Sequence, residues 1–112
     1  MGYTGNDYYC DVVLKDPLLF KIEYESDNVL AYHHTNPYWP VHVVVISKKH
    51  IPSFTERNQE DDVIIIEMME VIRIIAVKIE KETGAARILT NLGEYQESKH
   101  LHFHVSSGDS LK

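Results

Sequence analysis

Apolar residues recur along this chain with two different periods, and the switch between them marks its elements. Residues 7–16 (DYYCDVVLKD) put Tyr9, Val12 and Val13 at i, i+3 and i+4 ahead of Pro17, which predicts a short amphipathic helix with the proline as its stop. Residues 20–24 (FKIEY) alternate apolar and charged, Ser26, Asp27 and Asn28 supply turn residues, and residues 29–33 (VLAYH) are extended again, the pattern of a hairpin. Residues 35–40 (TNPYWP) form a stiff loop, because each proline fixes its own φ and biases its predecessor away from helix. Residues 41–47 (VHVVVIS) are β-branched and almost continuously apolar, as in a central strand, with His42 the one polar interruption before Ser47.

Over residues 60–83 the period becomes helical. Ile65, Met68, Met69, Ile72, Ile75, Ala76 and Ile79 line one stripe, and Gly84 follows as a left-handed cap. Ile64, Ile66, Val71, Ile74 and Val77 fall outside that stripe, so the apolar arc is wider than one core face requires, and a second copy of the chain is the expected cover. Residues 87–92 (RILTNL) and 100–105 (HLHFHV) read as strands flanking a polar loop at 93–99. The expected architecture is a single α+β domain over 1–112: an antiparallel sheet of about five strands, a short N-terminal helix and one long helix, with the helices on one face and residues 1–6 loose.

Composition narrows the partners. A formal charge of −6 and a pI near 5.6 provide no basic field for a nucleic-acid polymer. No run approaches the ~18 apolar residues of a membrane span. The start lacks a basic region followed by an apolar one, and Asn6 stands where myristoylation needs Ser or Thr, so a cytoplasmic setting is expected. Cys10 is the single cysteine, most simply a small buried hydrophobe.

Seven histidines stand out, three of them in the last strand. His100, His102 and His104 alternate with Leu101, Phe103 and Val105, so a two-residue period sends imidazoles to one face and apolar groups to the other. Successive imidazoles would stand roughly 6.6 Å apart, close enough to address one ligand. Such a face can hold a catalytic Zn²⁺, attack phosphorus through a neutral ring nitrogen, or bind an anion. Composition leaves all three open.

The segment resembles the signature of the histidine triad (HIT) superfamily, and the resemblance extends upstream. Residues 32–51 (YHHTNPYWPVHVVVISKKHI) are similar to the family's hairpin strand, proline loop, strand-opening His and Lys-Lys-His-Ile turn. Asn91 and Gly93 fill its Asn-x-Gly place, and Gln96 its Gln before the triad. The likeness is nearest to the Hint branch of nucleoside phosphoramidases and nucleotide-binding proteins. It implies a HIT-like fold, typically dimeric, in which His102 is the nucleophile oriented by the His100 carbonyl. His104 and His42 would hold the phosphate, Asn91 and Gln96 would bond near ribose and phosphate, and Tyr32 would line the nucleoside pocket.

The resemblance also exposes departures. His34 stands where the Hint branch usually has an Asp for the ribose hydroxyls, and Glu97 where a Ser or Thr meets the leaving group. Some relatives hold a structural Zn²⁺ at the places of Asp7, Cys10, His50 and His100, but a carboxylate replaces one thiolate here, and an empty site is the expectation. No cofactor is needed for attack by imidazole. His33 is expected to be a strand residue, Tyr38 and Trp39 to pack on the domain's edge, Lys48 and Lys49 to form a solvated turn, and Glu60, Asp61 and Asp62 to be the acidic first turn of the long helix. The leading expectation is a HIT hydrolase cleaving a nucleoside phosphoramidate. A non-catalytic nucleotide-binding or scaffolding protein and a Zn²⁺ hydrolase built on the triad are the alternatives.

Overall fold

A computed structural model describes residues 7–112, so the expected loose start at 1–6 lies outside the described residues. Five antiparallel strands make one sheet in the order β1-β2-β3-β5-β4: β1 is Ile22–Glu25, β2 Val29–His33, β3 Val41–Ser47, β4 Arg87–Leu89 and β5 His102–Ser107. The hairpin and the central strand lie where their patterning puts them. Helix α1, Asp62–Thr83, crosses one face and ends at Gly84, whose φ of 90° is the left-handed cap and whose N–H bonds to the Glu80 carbonyl.

The sheet is covered on both faces, which corrects the expectation of helices on one. Val43, Val45, Phe103 and Val105 meet Met68, Val71, Ile72 and Ile75 of α1 on the first face. On the other, Leu30, Tyr32, Val44 and Ile46 pack against Tyr9 and Val13 of an N-terminal helical turn, Tyr9–Val13. That turn is wider than an α-helix, with the Leu14 N–H bonded to the Tyr9 carbonyl, and it leaves Val12 exposed instead of in the stripe.

Three element boundaries also differ from expectation. Strand β4 stops at Leu89, not 92, because the Thr90 hydroxyl donates to the His102 carbonyl at 2.6 Å and ends the ladder. Strand β5 starts at His102, not His100, because the Leu101 N–H turns out of the sheet to the Ile51 carbonyl. On α1, Val71 joins the buried stripe and Met69 leaves it, while the acidic first turn is recruited to specific bonds: Asp61 is buried, takes the Lys49 ammonium at 2.6 Å and accepts the Asn58 N–H. Lys48 likewise reaches Glu25, so the Lys-Lys turn is paired at both lysines.

Met68 is fully buried, so Met68→Ala should cost about 3 kcal/mol. A Cβ on Gly84 would meet nothing within 4 Å, yet Gly84→Ala should cost about 1 kcal/mol through its positive φ alone. Urea unfolding measures both, and an unchanged midpoint for Gly84→Ala would remove the role given to the cap.

Candidate functional site

Antiparallel partners share a face, and the register pairs Val44 with His104, Ile46 with His102 and His42 with Ser106. His42, His102 and His104 therefore project together on the face opposite α1, into a cavity of about 490 Å³. Tyr32, His34, Asn91 and Glu97, the residues expected near nucleotide and leaving group, also line it. Two expected residues do not. Gln96 is buried with its amide nitrogen bonded to the Pro52 carbonyl at 2.8 Å. His100 is fully buried elsewhere, because the strand alternation that would align it with His102 has not yet begun at that position.

His100 instead contributes its backbone. The His102 Nδ1–H donates to the His100 carbonyl at 2.6 Å, which leaves the Nε2 lone pair as the ring's free position. Burial lowers the His102 pKa and outweighs that carbonyl, which favours the charged form, so the ring is neutral near pH 7. Tyr9 packs on it at 4.8 Å between centroids, and the Thr90 hydroxyl holds its backbone oxygen. Nothing in the sequence pattern pointed to Tyr9 or Thr90 as neighbours of His102.

His42 does not stand ready for a ligand as the resemblance implied. Its Nδ1 accepts the Tyr38 N–H at 3.1 Å, so the neutral ring carries its proton on Nε2, which lies 2.7 Å from His104 Nδ1. His104 in turn keeps its own proton on Nε2. The pair thus ends in one N–H donor at His104, beside the lone pair of His102, with His42 acting through His104. Burial, followed by His34 and Lys112, lowers His42 to about 4, and burial, followed by His102 and His42, lowers His104 to about 3. The flanking groups are neutral donors instead of cations.

His34 stacks on His42 at 4.4 Å and 24°, and its Nδ1 accepts the Asn36 N–H. Tyr38 and Trp39, expected on the domain's edge, line the cavity, because the two prolines of their loop turn both rings toward His42. His33 lies outside the site and bonds to Glu23 at 2.8 Å.

The four residues of the possible metal place do come together. Donor atoms of Asp7, Cys10, His50 and His100 all lie within 4.8 Å of one another, the one such group among the described residues. The triad itself forms none, so a Zn²⁺ held by its three imidazoles has no geometric basis. His100 Nε2–H donates to the Ser47 carbonyl at 2.6 Å, while its Nδ1 faces Asp7 Oδ2 at 2.5 Å and Cys10 Sγ at 3.5 Å. That nitrogen, the Asp7 carboxylate and the Cys10 sulfur therefore lie side by side. One thiol, two imidazoles and a carboxylate are a donor set that Zn²⁺ accepts. Burial, then Asp7 and Asp11, push the Cys10 thiol up to about 12, so without a cation it stays protonated.

Residues 6–111 match a family model described as "Scavenger mRNA decapping enzyme C-term binding". An "Uncharacterized HIT-like protein" of Buchnera aphidicola is 30% identical, spanning 88% of this chain and 90% of that one. The chain belongs to the histidine triad superfamily. Solved histidine triad structures agree. A HIT family hydrolase from Clostridium thermocellum has a TM-score of 0.81 and 30% identity, covering 98% of this chain and 96% of that one. A histidine triad protein from Clostridium difficile has a TM-score of 0.77 and 31% identity, covering 99% and 97%. Among the described residues no helix is long and apolar enough to cross a membrane.

The neutral imidazole wall predicts a pH dependence for this histidine triad protein. His42 and His104 bind protons far more weakly folded than unfolded, so as pH falls below about 6.5 the unfolded chain takes them up first and stability is lost down to about pH 4. Urea midpoints between pH 7.5 and 4.5 should fall steeply in the parent and less steeply in His104→Gln. Equal slopes would refute the assignment.

Proposed function

We propose that this histidine triad protein hydrolyses a phosphorus-linked nucleoside, a nucleoside phosphoramidate in the first instance, through a nucleotidyl intermediate on His102. The carrying observation is the bond from His102 Nδ1 to the His100 carbonyl, which commits that nitrogen as donor and leaves Nε2 as a neutral nucleophile in the cavity. Likeness to a protein called a HIT family hydrolase supports the class of reaction. The aromatic rings of Tyr32, Tyr38 and Trp39 suit a nucleoside, and Asn91 adds a neutral polar group.

In the first step the His102 Nε2–P bond forms as the bond from phosphorus to the leaving nitrogen breaks. The amine departs with the electron pair and takes a proton from water. The hydroxide so formed attacks phosphorus in the second step, the Nε2–P bond breaks, and His102 returns to its neutral form. Across both steps the His104 Nε2–H is a fixed donor for a phosphoryl oxygen, already oriented before the substrate arrives. Attack by a neutral imidazole calls for no metal in either step. Asp7, Cys10, His50 and His100 would hold a Zn²⁺ as a structural tie between the N-terminal turn and the residue whose carbonyl orients His102.

His102→Ala should lose turnover of an adenosine phosphoramidate by at least about 10³-fold while nucleotide binding stays within a few-fold. Mass spectrometry of a quenched parent reaction should find the nucleotidyl adduct on His102, and turnover should survive chelation. Unchanged turnover in His102→Ala would overturn the mechanism, and tight nucleotide binding without turnover of any phosphoramidate would make the protein a binding module instead.

The proposed assembly is a homodimer. Helix α1 leaves Val63, Ile66, Met69, Ile74 and Val77 exposed, Ile66 at 65%, and Ile88 is 52% exposed on the edge strand β4. A groove between Met69, Val77 and Ile88 joins the two elements. A two-fold contact would bury the same strip from both copies. Light scattering at micromolar concentration should give about twice the 13.0 kDa chain mass, and Ile66→Glu should lower it. A 13.0 kDa particle for the parent would refute the dimer.

A further inference from the structure

His42 is held by more than its two hydrogen bonds, and what holds it reaches across the same face of the sheet from the edge strand β4. Trp39 meets the His42 ring edge-on at 4.9 Å between centroids and 67° between planes. On Trp39 lies the guanidinium of Arg87, 5.4 Å from the ring centroid. Arg87 opens the edge strand β4, and its fork is anchored twice, Nη2 donating to the Gly108 carbonyl at 2.9 Å and Nη1 to the Ser106 hydroxyl at 3.3 Å. Gly108 is itself seated against the loop. A Cβ there would lie 2.7 Å from Pro40, and its φ is +96°. The end of β5, the start of β4 and the proline loop therefore close on one indole, and that indole bears on His42.

We propose that Trp39 and Arg87 are positioning residues that clamp His42 in one tautomer and one ring orientation, so that His104 always presents its Nε2–H to the cavity. The alternative tautomer of His42 would place a proton on Nδ1 against the Tyr38 N–H and a lone pair on Nε2 against His104. Rotation of the ring away from the Tyr38 amide is the movement that would permit it, and the indole edge blocks that movement. Neither residue touches the nucleophile. The clamp deepens the proposed hydrolytic reading, since a donor of fixed direction is useful only where a phosphoryl oxygen develops charge beside His102.

The test uses the whole protein labelled with ¹⁵N in its histidine rings. The parent should show His42 as a single Nε2–H tautomer near pH 7. Trp39→Ala and Arg87→Gln should show signals averaged between tautomers, and Trp39→Phe, which keeps an aromatic edge, should restore the single state. Arg87→Gln changes an exposed side chain, so it remains informative if Trp39→Ala fails to fold. With a phosphoramidate Arg87→Gln, whose side chain does not line the cavity, should lose about tenfold in kcat with KM within about twofold, as expected for a misdirected donor, whereas Trp39→Ala also removes a cavity wall and is read by its tautomer alone. A single Nε2–H tautomer in both folded variants, or mixed tautomers in the parent, would overturn the clamp. Because the tautomer is read in the free protein, absence of turnover in the parent would count against the hydrolytic reading, while the spectra alone would decide the clamp.

Discussion

The arrangement of this molecule depends on a break in hydrogen bonding just before its last strand. Leu101 sends its N–H to the Ile51 carbonyl outside the sheet, and the ladder begins only at His102. His100 is thereby released from strand geometry. Its ring turns into the buried group with Asp7 and Cys10, while its carbonyl takes the His102 Nδ1–H. One residue thus links the N-terminal turn, the Lys-Lys-His turn through Ser47 and His50, and the ring that offers its nitrogen to the cavity. A buried carbonyl needs a donor, and the imidazole that supplies one is oriented in return.

Desolvation controls the electrostatics of the remaining imidazoles. Those of His34, His42, His102 and His104 surround one cavity, and the pKa of each is lowered, with burial as the largest cause in every case. Each proton added to one would repel the next, so near neutral pH the wall is a set of dipoles instead of a positive patch. Its directionality comes from backbone amides, since the N–H groups of Tyr38 and Asn36 settle which nitrogen of His42 and His34 carries hydrogen. A stiff proline loop can supply such amides at fixed positions.

The two faces of the sheet divide the labour. The α1 face is a conventional apolar contact and the opposite face holds the polar cavity, with the N-terminal turn sealing one end through Tyr9. Strand β3 alternates between them, Val43 and Val45 to the helix and His42, Val44 and Ile46 to the cavity side, so one continuous apolar run supports both. Because the helix packs on the far side, its exposed apolar strip lies on a different surface from the cavity.

Much of this was legible from residue order. Alternation in residues 20–24 with the turn residues after it, the continuous apolar run at 41–47 and the helical period before Gly84 determined the hairpin, the central strand and the long helix, because local backbone geometry and face burial act over a few residues. The alternating histidines marked the site for the same reason. Tertiary structure alone decided that the triad splits, with His100 turning away while His42 joins from a strand much earlier in the chain, because strand register and the Leu101–Ile51 bond are long-range facts. It also decided that His42 acts through His104, that Gln96 stays out of the cavity, that Trp39 and Tyr38 enter it, and that Asp7 and Cys10 meet His50 and His100. Each is a contact between side chains far apart in sequence, set by which faces pack together, and the spacing along one strand carries no information about it.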